Sequence, residues 1–169
     1  ALRGAAATGQ HRRAVRAARD EVRHARVCRE LAGDALGCEL RLVPPPLPES
    51  PSRSRTEALT ALAIDSWRDG CLGEGAAARR AEIAARAATH EPARVALGRI
   101  ARDEAEHAEL AWSVLAHALE VGGAEVRDAV VHELESGAPM SCEGEGDAAI
   151  DRRMWARHGR LAADQVALA

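Results

Sequence analysis

The chain has 169 residues and a formal net charge of −3, enough for one domain with a core and little more. All 23 basic residues are Arg, and Asn, Phe and Tyr are absent, which excludes a tyrosyl radical or a tyrosine general acid. The charge balance gives no sign of a nucleic-acid or membrane-surface partner, no apolar run approaches ~20 residues and no signal-peptide pattern is visible, so a cytoplasmic protein is expected.

In chain order, the spacing predicts a helix over about 10–36, whose stripe Ala14, Ala17, Glu21, His24, Cys28, Leu31, Ala35 steps by threes and fours. The Pro-rich stretch Leu42 to Ser54 follows. It blocks a helix, favours an extended path, and reads as a semi-rigid crossover along a bundle. A second helix is predicted over about 55–89, with the stripe Thr60, Ile64, Trp67, Cys71, Glu74, Ala78, Ala81, Ala85. A third, over about 91–122, has Pro92 in its first turn and ends at Gly122-Gly123. Its stripe is Leu97, Ile100, Glu104, His107, Ala111, Val114, Ala118. The rest, about 123–169, reads as an extension: a helix near 124–135, a Gly-rich acidic loop with Glu143 and Glu145, and a last helix from about Asp147 carrying Met154, Trp155 and Leu161. No strand signal appears. The expectation is one all-α domain over 1–169, helical hairpins around one long connection, which is the outline of a ferritin-like bundle.

One phrase is written twice. Residues 18–25 read ARDEVRHA and residues 101–108 read ARDEAEHA. In each copy Glu and His are three apart, Glu21 with His24 and Glu104 with His107, which puts both on one helix face. Each pair lies on the apolar stripe, and Glu74 interrupts the second helix's stripe in the same way. A buried carboxylate is costly unless it is paired or binds a cation. Three carboxylates and two imidazoles turned into one core suit a pair of divalent ions, Fe or Mn in particular.

On these residues the chain resembles the ferritin-like superfamily of di-iron carboxylate proteins, over about Arg12 to Gly122. Asp20-Glu21-Val22-Arg23-His24 matches the DExRH motif of di-iron monooxygenases and desaturases. The second copy keeps DExxH but has Glu106 where the motif has Arg. The chain is also similar to uncharacterised bacterial ferritin-like domain proteins in the DExRHARxC stretch and in GCLGE before Glu74. The resemblance implies Glu21, His24, Glu74, Glu104 and His107 as ligands of two iron ions, or of iron with manganese. It implies Asp20 and Asp103 as acceptors from the ligand imidazoles, with Arg23 pairing with one of these acids. Cys28 and Cys71, on the inward stripes, are candidates to border the pocket or to serve as small buried apolar residues. Trp67 and Trp112 are expected to fill the core, and the histidines outside ExxH to lie at the surface or in local bonds.

Gly70, Gly73 and Gly75 around Glu74 predict either a helical irregularity such as a π-bulge, or close approach of a second helix. The family pattern also wants a lone Glu before each ExxH. Glu74 precedes Glu104 by 30 residues, and the same spacing before Glu21 falls upstream of Ala1. A first helix is therefore expected either ahead of this sequence or from another subunit, and the metal site is incomplete in this chain alone. The activity implied is an oxidoreductase that uses dioxygen or peroxide to oxidise a small organic substrate, with a reductase as partner and a homodimer as assembly. A ferroxidase or rubrerythrin-like peroxide scavenger is the first alternative, though no CxxC pairs are present. A metal-free helical interaction module is the second.

Overall fold

The computed structural model describes residues 2–43 and 53–136, with side chains from Gly9 onward except Glu133. Helix α1 spans Leu2–Leu36, α2 Arg55–Asp65, α3 Gly75–Ala87 and α4 Glu91–Ser136. Between α2 and α3 the chain stays helical but widens into a π segment, Ser66–Glu74. The path from Arg55 to Ala87 is thus one long rod with a π-helical middle. There is no strand among the described residues. Most of the Pro-rich stretch, the acidic loop and the last helix lie outside them.

Local chemistry sets the ends. α1 is rich in Ala and Arg, both strong helix formers. It stops where Gly37 takes a positive φ of 66° and the Cys38 N–H donates to the Gly33 carbonyl at 3.1 Å, a glycine C-cap. α2 starts with a capping box. The Glu57 N–H donates to Ser54 Oγ at 3.3 Å, and the Ser54 N–H donates to Glu57 Oε2 at 2.7 Å. The sequence predicts a stop at Gly122-Gly123. The structure instead carries α4 through to Ser136, with the direction changed at Gly123, whose φ of 68° and ψ of −149° are not helical. A Cβ on Gly122 would stand 2.3 Å from Val126 Cγ2. The glycine therefore lets residues 124–136 turn back tightly enough to bury Val126 completely.

α4 is the common partner of the fold, since α1, α2, the π segment and α3 all pack on it. The apolar core joins Ala63, Cys71, Ala111, Leu115, Ala118, Val126 and Val130, flanked by Leu59, Ile64, Trp67 and Leu119. Alanine dominates it, so the helices sit close and each contact is small. Burying Val126 contributes roughly 1.5–3 kcal/mol. α1 is different. Among its described side chains only Asp20 and His24 are buried.

The three glycines around Glu74 have separate explanations. Gly70 marks a close approach, because a Cβ there would meet the Ala111 Cβ at 2.3 Å. At Gly73 a Cβ would find only the Arg68 carbonyl at 3.6 Å, and at Gly75 nothing within 4 Å. Packing therefore requires the first glycine alone, and the other two soften the helix beside Glu74.

Candidate metal centre

The two ExxH copies face each other across the α1–α4 contact, which is antiparallel. Gln10 Nε2 donates to the Ser113 carbonyl at 3.0 Å at one end, and Arg23 Nη2 reaches Asp103 at 2.9 Å further along. A three-residue step places Glu and His of each copy on the inward face. The crossing brings the four side chains together.

His24 and His107 lie with ring centroids 6.1 Å apart. Each turns Nδ1 toward the carboxylates. His24 Nδ1 stands 3.2 Å from Glu104 Oε1 and 3.5 Å from Glu21 Oε1. His107 Nδ1 stands 3.4 Å from Glu104 Oε2 and 3.2 Å from the same Glu21 oxygen. Glu104 thus offers one oxygen to each ring, and Glu21 Oε1 sits between them. One ligand atom each from Glu21, Glu104 and His107 lies within 4.8 Å of the others, so this cluster could hold a metal ion. Among the atoms of the two ExxH pairs, three are buried with no hydrogen-bond partner: His24 Nδ1, Glu104 Oε2 and His107 Nε2. Unpartnered polar atoms in a buried site are costly, and a cation beside the first two would satisfy them.

The outward nitrogens meet aspartates, and they do so crosswise. His24 Nε2 is 3.0 Å from Asp103, the aspartate of the second copy, while His107 Nε2 is 3.6 Å from Asp20, the aspartate of the first. The first contact is a hydrogen bond and the second is too long to be one. Arg23 Nη2 lies 2.7 Å from Asp20 and 2.9 Å from Asp103, so one guanidinium joins both aspartates rather than one of them. Burial pushes the Asp103 carboxyl up, but hydrogen bonds from His24 and Arg23 outweigh it and hold the group below its ordinary value. Glu106, standing where the motif has Arg, instead pairs with Arg16 at 2.9 Å, and Arg16 Nε lies 3.8 Å from Asp20. A cation from one turn earlier on α1 therefore occupies the place that an Arg at 106 would serve. Arg16, four residues before Asp20, was the sequence signal for it.

Glu74 joins the cluster through Glu104. Its carboxyl is pushed up to about 7 by burial first, then by a hydrogen bond shared with Glu104 and by that residue's charge, with His107 and His24 opposing.

Three expectations need correction. Glu21 is not buried on the inward stripe: its side chain is 54% exposed, against 8% for Glu104. Beyond α4, no described element packs against that side of α1 in strength. Cys28 is exposed for the same reason, whereas Cys71 belongs to the apolar core beside Ala111. Trp112 points outward and is exposed, leaving Trp67 to flank the core. No described helix is long and apolar enough to cross a membrane.

Comparison with known proteins gives no match, whether to family models, to curated proteins or to solved structures.

Proposed function

We propose that this chain is a ferritin-like di-metal carboxylate protein, an oxidoreductase that turns dioxygen or peroxide on a small organic substrate with two iron ions, or iron with manganese, as cofactor. The observation that carries this reading is the orientation of the two imidazoles. Both aim Nδ1 at a shared pair of carboxylates, and His24 also hydrogen-bonds Asp103 through Nε2, while Asp20 stands 3.6 Å from His107 Nε2. A histidine whose outer nitrogen donates to a carboxylate keeps its lone pair on the inner nitrogen, which is how proteins prepare an imidazole for a metal.

In this reading Glu21, His24, Glu104 and His107 would hold the metal, with Glu21 at the rim and Glu74 beside Glu104. Asp103 fixes the His24 tautomer, Asp20 stands beside His107 Nε2, and Arg23 neutralises the two aspartates together. Redox-active metal, when bound, supplies the electron transfer to dioxygen that no side chain of this cluster provides. The half-exposed Glu21 leaves one side of the cluster open to small molecules, while Glu104 is buried on the other.

Anaerobic Fe(II) titration with metal analysis tests the reading. The expected result is up to about two irons per chain, lost in both Glu104→Ala and Glu104→Gln. Stoichiometric iron retained by both variants, or no uptake by the wild-type chain and any longer form of it, overturns the assignment. Co(II), whose visible bands report carboxylate and imidazole ligation, gives a readout independent of turnover.

A further inference from the structure

Away from the histidine cluster, α1 and the end of α4 carry two exposed stripes of opposite charge. On α1, Arg12, Val15, Arg19, Val22 and Arg26 recur at alternating steps of three and four residues and are all exposed. Arg12, Val15 and Arg19 line a shallow groove of about 640 Å³ with His11, Arg16 and Arg23, and Asp20 is the only acid in it. On α4 beyond the bend at Gly123, Glu125, Asp128, His132 and Glu135 recur at steps of three and four and are all exposed, with Val131 exposed beside them.

The stripes match in charge, and the second is short enough to lie within the first. Arg12–Arg26 covers 15 residues, about 21 Å of helix, and Glu125–Glu135 covers 11 residues, about 15 Å, and each has exposed valine among its charges. A single small anion would engage one or two of the guanidiniums, whereas a row of this length fits another helix face. None of Arg12, Arg19, Arg26, Glu125, Asp128 and Glu135 has an ion-pair partner among the described residues.

We propose that the two stripes are the halves of a self-association surface: the 125–135 face of a second copy lies along the Arg12–Arg26 face of α1. Made reciprocally, the contact closes a two-fold dimer in which each stripe meets its complement once. Burial of the valines provides attraction. The charges set register and partner choice, since exposed ion pairs add little affinity singly. The proposal does not depend on the metal reading.

Sedimentation equilibrium over a concentration series, at about 20 mM and about 500 mM salt, tests it. A dimer that weakens with salt is expected. Replacing Arg12, Arg19 and Arg26 by Glu, or Glu125, Asp128 and Glu135 by Arg, is expected to weaken association by at least about tenfold. An equal mixture of the two variants restores it, because both contacts then pair opposite charges. Arg12→Gln, Arg19→Gln and Arg26→Gln together provide a milder variant that keeps the helix, checked by circular dichroism. A wild-type chain that stays monomeric throughout, an open-ended assembly, or a variant mixture that remains monomeric overturns the proposal.

Discussion

His24 Nε2 and Asp103 Oδ2 meet at 3.0 Å although the residues are 79 positions apart. The aspartate written beside one histidine orients the other, so the two copies of the repeated phrase make one unit rather than two. Asp103→Asn keeps the shape and removes the charge. Metal affinity is expected to fall by about 10–100-fold with helix content unchanged, read by competition against a chromophoric chelator. Equal affinity in the variant would mean that His24 needs no anionic partner.

Glu74 makes the metal-free protein sensitive to pH. Its carboxyl is raised to about 7 from an ordinary value of 4.5, so between those values the folded chain holds a proton that the unfolded chain has released. Its contribution to stability is full below the unfolded value and is lost as pH rises through about 7. Thermal melts of the metal-free protein should fall from about pH 5 to about pH 8 on this account, and the slope should flatten in Glu74→Gln. Metal must displace the same proton, so uptake below about pH 7 should acidify an unbuffered solution. A Glu74→Gln slope identical to wild type would remove Glu74 as its source.

Gly70 and Gly75 are expected to respond oppositely to the same change. Gly70→Ala sets its Cβ 2.3 Å from that of Ala111, and prying the helices apart is expected to cost about 1–3 kcal/mol. Gly75 has helical dihedrals, φ −60° and ψ −44°, with open space around it. Gly75→Ala is expected to stabilise by about 0.5–1 kcal/mol. Urea unfolding of the two variants decides. Equal effects would show that the π segment yields to a methyl group, and that the contact with Ala111 sets no limit.

The helices and the histidine cluster were legible because their signal is local. A three-residue step on an amphipathic stripe places Glu104 and His107 on one face whatever the rest of the chain does. The glycine cluster around Glu74 likewise announced an irregular helix, and the structure has both a π segment and a close helix approach there. Crosswise pairing of the aspartates was not legible, because it depends on the register of α1 against α4. The positions of Glu21, Cys28 and Trp112 were misread for one reason: periodicity identifies a face but does not say whether anything covers it. Gly123 was read as a stop where it is a bend, since the turn is decided by Val126 packing over Gly122.

The burial pattern of α1 carries a consequence for how the molecule comes apart. With Asp20 and His24 as its only buried described side chains, this helix is fastened by charge and hydrogen bonding, while the rest of the chain holds together through an alanine and valine core. The helix's described side chains include no buried apolar residue, and it is the natural first unit to open. A cation shared by Glu21, Glu104 and His107 would rivet it in place, so that loading the centre and closing the fold become a single event.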